Sequence, residues 1–151
     1  MPKSVIACIA VISIGAAGCR TIEPPAGYVP LRNPEPRKLA AVSAVGTTFA
    51  VSEHPNDGGR HADLAYWVTA FKHEKVTLGR YRLEGEEPIT AEGGREGRLL
   101  DLRLGQGAAE YTWLVALYVN DSRIVTAEAG GPSAQMAGDH DRLIAAMQRV
   151  P

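Results

Sequence analysis

The sequence predicts a single small α+β domain, with an antiparallel sheet of about four to five strands packed with two helices. Two observations support this fold class. The chain of 151 residues is long enough for one domain, and the patterns from Leu39 onward run strand, helix, several strands, helix. The later strands are separated by short turns, which favours an antiparallel meander because parallel neighbours need long crossover connections.

The first strand and helix are predicted between residues 41 and 79. The segment AVSAVGTTFAV, residues 41–51, has β-branched residues in loose alternation and predicts a strand. The turn-forming PNDGGR follows, with Asn56 or Asp57 as the candidate helix cap. Apolar residues then recur at i, i+3, i+4 and i+7, which predicts a helix with one buried face that ends by Gly79. These apolar residues are Leu64, Trp67, Val68 and Phe71.

The antiparallel meander is predicted from residues 81 to 128. An interrupted strand is followed by a half-exposed one, with apolar residues at every second position of 100–104. The run YTWLVALYV, residues 111–119, is apolar on both faces, which predicts a central strand covered on both sides. Asn120–Asp121 turns the chain, and residues 123–128 return as the partner strand.

The last part of the chain predicts the end of the sheet and a closing helix. The sequence GGP, residues 130–132, is expected to break the sheet. Leu143, Ile144 and Met147 then fall on one helical face, and Asp139 is the expected cap of that helix.

The element order over residues 41–150 resembles the PsbP-like fold, named for the extrinsic photosystem II protein. The segments YTWLVALYV and IVTAEAGGP carry the resemblance, and bacterial envelope lipoproteins contain similar domains. The resemblance includes no motif of functional residues. It therefore implies a fold and no catalytic residue.

The first 18 residues have the pattern of a secretory signal peptide. Lys3 precedes an uncharged apolar segment, residues 5–15, which is shorter than the roughly 20 apolar residues that span a bilayer. Three small residues then precede Cys19. We therefore expect residues 1–18 to be removed, and Cys8 with them, which leaves no second cysteine for a disulfide.

The sequence from Ala16 to Cys19 resembles the lipobox of bacterial lipoproteins, with Ala16 where leucine is usual. The resemblance implies that the Cys19 thiol receives a diacylglycerol and that the new amine is acylated, so that lipid chains anchor the protein to a membrane. Arg20 follows, and not aspartate, which by the same resemblance favours the outer membrane with the domain facing the periplasm. The alternative is an ordinary secretory leader in which Cys19 is incidental.

Residues 19–38 are predicted to be a spacer between this anchor and the domain, residues 39–151. Five of the chain's ten prolines lie between Arg20 and Lys38. Proline fixes φ and removes a hydrogen-bond donor, so the segment favours extended structure. We expect the domain to fold without it.

One turn contains the residue types of a metal site. Imidazole and carboxylate groups are suitable metal ligands, and EHPNDGGRHAD, residues 53–63, carries Glu53, His54, Asp57, His61 and Asp63. The spacing matches no known ligand signature, and a surface turn explains the same residues. No serine lies in a G-x-S-x-G turn, and no catalytic residue or cofactor is predicted.

The composition limits the partners. The formal net charge is −1 and the basic residues are scattered among acidic ones, which does not favour nucleic-acid binding. Trp67 and Trp113 are predicted core residues, although either could line a ligand pocket.

The first hypothesis for the function is a lipid-anchored envelope protein that binds or scaffolds another envelope component. The alternatives are a small metal-dependent enzyme that uses the His54–His61 turn, and a carrier of a small apolar ligand.

Overall fold

The computed structural model describes residues 21–32 and 35–151, so the predicted leader and Cys19 lie outside the described residues. Within this part of the chain, seven strands and two α-helices form one antiparallel sheet with a helix on each face. The strands are β1 (Tyr28–Pro30), β2 (Leu39–Ser43), β3 (Thr48–Pro55), β4 (Arg82–Thr90), β5 (Glu96–Leu104), β6 (Tyr111–Val119) and β7 (Arg123–Pro132), and the helices are α1 (Leu64–Lys72) and α2 (Ser133–Gln148). The strand order in space is β1-β2-β3-β7-β6-β5-β4.

The α+β fold class is confirmed, but the sheet has more strands than the predicted four to five. The predicted strand over residues 41–51 is a hairpin, β2 and β3, which turns at Gly46. Gly46 has a φ of +84°, a left-handed conformation that glycine adopts without steric cost. The loosely alternating residues 41–51 therefore include a turn between two strands, and Gly46 was its only signal in the sequence.

The predicted spacer contributes the other extra strand. β1 pairs with β2, and the Tyr28 side chain is 6% exposed. The Tyr28 hydroxyl lies 2.7 Å from Thr47 Oγ1 and donates to Asp139 Oδ2 at 3.2 Å. Arg142 also donates to the Ala26 carbonyl oxygen at 3.0 Å. Residues 28–30 therefore belong to the folded domain, which corrects the prediction that residues 19–38 only space it from the membrane.

The helix pattern at Leu64–Phe71 is confirmed by α1. Its cap is Asp63, whose Oδ1 accepts from the Tyr66 backbone N–H at 2.9 Å, and not Asn56 or Asp57. The helix continues as a π-helical turn, His73–Leu78, which we call the π turn.

The end of the sheet differs from the prediction. Gly130, Gly131 and Pro132 remain within β7, and α2 begins directly afterwards at Ser133, so Asp139 lies inside the helix and does not cap it. Gly131 is needed for close approach, because a Cβ there would lie 2.7 Å from Thr47 Cγ2. The glycines therefore allow tight packing inside the strand, where the sequence suggested a break.

Each face of the sheet carries a hydrophobic core. The core under α2 is the larger and includes Phe49, Tyr118, Leu143 and Met147. The core under α1 contains Val68 together with residues of β5 and β6. The prediction of a central strand at residues 111–119 is confirmed, since β6 has neighbours on both sides and contributes to both cores. No helix in the described ranges is both long and apolar enough to cross a bilayer.

Tyr118 provides a pH-dependent test of the core under α2. Its ring is fully buried, its hydroxyl donates to the Met147 carbonyl oxygen at 3.0 Å, and burial raises the pKa of Tyr118 to about 12. The unfolded chain loses this proton near pH 10, so the Tyr118 contribution to the free energy of unfolding is complete below pH 10. It should be lost as the pH rises to about 12.

Chemical denaturation at stepped pH measures this loss. Tyr118→Phe should remove this part of the decline, whereas Tyr66→Phe, at an exposed ring, should keep it. An identical decline in the Tyr118→Phe variant would contradict the assignment.

Candidate functional site: a cleft beside helix α1

The structure does not gather His54, Asp57 and His61 into a metal site. Within residues 21–32 and 35–151, no group of three or more His, Cys, Asp or Glu side chains is placed to hold a metal ion. His54 lies at the end of β3, and His61 ends a short 3-10 turn before α1. All three side chains are exposed.

Asn56, a buried residue, organises this turn. Its side-chain amide donates to the carbonyl oxygens of Gly59 at 3.1 Å, Ala62 at 2.9 Å and Asn120 at 2.9 Å, and its Oδ1 accepts from Trp67 Nε1 at 3.1 Å. These bonds connect the start of α1 to the turn between β6 and β7. The turn that carries the candidate metal ligands is therefore held by Asn56 as a structural connection.

An open cleft over the sheet, next to α1, is a candidate site. α1 packs on β5 and β6, whereas α2 packs on β6 and β7 from the opposite face. β7 and β3 therefore form a floor beside α1. A cavity of about 300 Å³ lies on this floor, and a second of about 420 Å³ adjoins it along α1. Glu128 lines both cavities, and we call the pair the aromatic cleft.

Aromatic side chains form one wall of the aromatic cleft. The ring centroid of Trp113 lies 5.6 Å from that of Phe71 and 5.1 Å from that of Tyr81. Lys75 Nζ lies 5.6 Å from the Trp113 ring centroid, within range of a cation–π interaction. Trp113 is half-buried, so it contributes to the core under α1 and also to the cleft surface.

The backbone beside this wall has two unusual features. The π turn replaces the last turn of α1, and Arg80 has a φ of +65° although it is not glycine. The Tyr81 N–H donates to the Lys75 carbonyl oxygen at 3.0 Å, which holds Tyr81 beside the turn. π-helical turns and positive-φ residues are concentrated at functional sites. Both features therefore support this cleft as the functional site.

The floor of the aromatic cleft is made of small side chains. Gly130 lies opposite Trp113, and Ala50 lies opposite Glu128. The ring of Tyr111 lies over Gly130, because a Cβ at Gly130 would come within 2.5 Å of the Tyr111 hydroxyl oxygen. A glycine and an alanine thus leave room above the strands that larger side chains would fill.

Two opposite charges line the 300 Å³ cavity. Glu128 is half-buried, and its Oε1 accepts from Thr126 Oγ1 at 3.4 Å. Arg37 lines the same cavity from the other side of β3, and it makes no hydrogen bond or ion pair with another described residue. The 300 Å³ cavity therefore presents one carboxylate, one guanidinium group and an aromatic wall.

Another cavity, of about 480 Å³, lies on the opposite face between β4 and α2. Glu84, Glu87 and Asp141 are among its lining residues, together with Asp101. Asp101 Oδ2 accepts from Arg103 at 2.8 Å. These carboxylates do not converge on a common point as metal ligands.

Sequence reasoning found part of the aromatic cleft. It identified Trp113 and assigned it to the core, and it did not single out Glu128 or Arg37. One signal for Glu128 was present, because it is a charged residue in the mainly apolar run IVTAEAGG. Arg37 carried no such signal, since it lies among polar residues before β2.

No protein-family model matches the chain, and no curated protein matches it. Solved structures of similar fold include two bacterial proteins. A candidate regulator of unknown function, PA94 from Pseudomonas aeruginosa, has a TM-score of 0.58 at 14% identity, covering 82% of this chain and 80% of its own. Cyanobacterial PsbP (CyanoP) from Synechocystis has a TM-score of 0.52 at 13% identity, covering 91% and 96%. At these identities the likeness shows the fold alone, and it supports the predicted resemblance to the PsbP-like fold at that level.

Proposed function

We propose that the protein is a lipid-anchored protein of the bacterial cell envelope that binds another envelope component through the aromatic cleft. The leader pattern and the resemblance of Ala16–Cys19 to a lipobox support the anchor. The open floor and the aromatic wall support binding. Outer-membrane attachment with the domain in the periplasm is part of the proposal, and it rests on Arg20 after the lipid-bearing cysteine.

The observation that carries the proposal is the separation of the anchor from the cleft. Ile22 packs against the core under α2, and it lies three residues after Cys19, a reach of at most roughly 11 Å. A lipid on Cys19 would therefore hold the α2 side of the sheet close to the bilayer. The aromatic cleft is on the opposite face, where it stays open to the compartment.

Lipid attachment is tested by Cys19→Ala. The variant should take up no labelled fatty acid, remain as the slower-migrating precursor and lose its lipid tether to the membrane. A variant that is acylated and processed like the unchanged protein would contradict the anchor.

Binding through the cleft is tested by co-isolation from intact envelopes, with protein and small-molecule mass spectrometry of the bound material. Ala50→Phe should fill the floor of the cleft and lose the bound component. Ala134→Phe is the matched control, because Ala134 is exposed on α2 at the opposite face. Equal recovery with both variants would show that the cleft is not the binding site.

A further inference from the structure

We propose that the aromatic cleft binds a small zwitterion of the amino-acid type. Its ammonium group lies at Glu128, its carboxylate at Arg37, and its apolar part against Trp113 and Tyr81. This inference rests on the proposed function in two respects, that the cleft is the binding site and that the lipid anchor lies on the α2 side of the sheet. It adds the chemical class of the ligand.

The two charges lie on or just before strands that are not neighbours in the sheet. Glu128 lies opposite Ala50 of β3, and Ala50 lies opposite Ala40 of β2. Neighbouring strands are about 4.8 Å apart, so β7 and β2 are separated by roughly 10 Å at this level. Arg37 lies just before β2, and its side chain lines the same cavity as Glu128 without pairing with it. The two charges therefore line one cavity from opposite sides, where a molecule that carries a cation and an anion can contact both.

The two charges of the cavity favour a ligand that also carries both charges. An anion alone would meet the carboxylate of Glu128, and a cation alone would meet the guanidinium group of Arg37, so each would gain one attraction and one repulsion. A zwitterion gains both attractions. The planar guanidinium group can also bind a carboxylate through two parallel N–H···O bonds.

The size and the aromatic wall of the cavity favour a small ligand with a flat apolar group. About 300 Å³ is at the lower end of the range for ligand pockets, which favours a small molecule. The tilted rings of Trp113 and Tyr81 offer an aromatic surface for a flat apolar group. An aromatic amino acid has all three properties: two opposite charges, a small size and a flat apolar group.

A zwitterionic lipid headgroup has similar chemistry, and the position of the cleft argues against it. Ile22 packs under α2 on the opposite face of the sheet. The headgroups of the anchoring membrane therefore lie on the α2 side of the sheet, and the aromatic cleft faces away from them. We commit to a free amino acid, and phosphoethanolamine serves as the comparison.

The test is calorimetric titration of the purified protein with L-phenylalanine, its amide, N-acetyl-L-phenylalanine and phosphoethanolamine. The amide lacks the carboxylate and the N-acetyl compound lacks the ammonium group. We expect L-phenylalanine to bind and each blocked compound to bind about ten- to hundredfold more weakly, since a charged hydrogen bond is lost in each case.

Variants assign each charge to its partner. Glu128→Gln should weaken L-phenylalanine about tenfold or more, and it should bind the N-acetyl compound more tightly than the unchanged protein does, because the repulsion of its carboxylate is removed. Arg37→Gln should weaken L-phenylalanine to a similar extent and bind the amide more tightly, because the repulsion of its ammonium group is removed. Glu87→Gln and Arg149→Gln, exposed residues outside the cleft, should bind L-phenylalanine like the unchanged protein.

Two outcomes would overturn the inference. One is equal binding, or no binding, of L-phenylalanine and its blocked forms at millimolar concentration. The other is binding of phosphoethanolamine alone. Either result leaves the proposed function intact if Ala50→Phe still loses its envelope component, so the two proposals fail separately.

Discussion

A chain that begins at Leu39 is expected to unfold roughly 10–20 °C below a chain that begins at Thr21. Removing residues 21–38 removes β1 and the buried ring of Tyr28. Thr47, which is fully buried, keeps Ser43 as a partner but loses the Tyr28 hydroxyl. Exposing part of the core and losing these hydrogen bonds should together cost on the order of 3–5 kcal/mol.

Single substitutions in the longer chain separate the buried residue from its neighbour. Tyr28→Ala should account for much of the loss, whereas Val29→Ala, at a side chain that is 66% exposed, should change the melting temperature little. Thermal unfolding followed by circular dichroism measures all four proteins. Melting temperatures within a few degrees for the two chain lengths would restore the interpretation of residues 21–38 as a spacer.

The difference between predicted and observed strands follows from how local each signal is. Residues 111–119 form a strand, and the mainly apolar character of these nine consecutive residues is enough to predict it. β1 has three residues and ends in proline, and its stability comes from β2, Thr47 and α2, which lie far along the chain. A pattern in a few consecutive residues cannot predict contacts with residues that lie far along the chain. The prolines of this segment were therefore interpreted as a spacer.

The candidate site depends even more on distant pairing. Arg37 and Glu128 lie in segments that meet only because β3 pairs with both β2 and β7. The sequence instead drew attention to His54, Asp57 and His61, which are close along the chain and are not brought together as a metal site. The metal-site hypothesis came from residues that are close in the sequence. Which side chains line one cavity depends instead on the order of the strands in the sheet.

Trp113→Ala is expected to lower the free energy of unfolding by about 2–4 kcal/mol. Truncation of a core aromatic residue typically costs about 3–5 kcal/mol, and the half-buried position of Trp113 reduces this loss. The contacts that disappear are with Phe71 of α1 and Tyr81 after the π turn. Chemical denaturation measures the change, with Leu78→Ala as the control, because Leu78 lies in the π turn and is 69% exposed.

The same variant distinguishes two roles for Trp113. If the ring serves only as a wall of the cleft, Trp113→Ala will keep its denaturation midpoint and lose only the bound ligand, as exposed aromatic anchors do. The contacts with Phe71 and Tyr81 predict both losses together, since the ring that faces the cleft also packs these two residues against β6. Trp113→Phe should then recover part of the stability, because a smaller ring still packs between these neighbours. An unchanged midpoint for Trp113→Ala would show that the core under α1 does not depend on this residue.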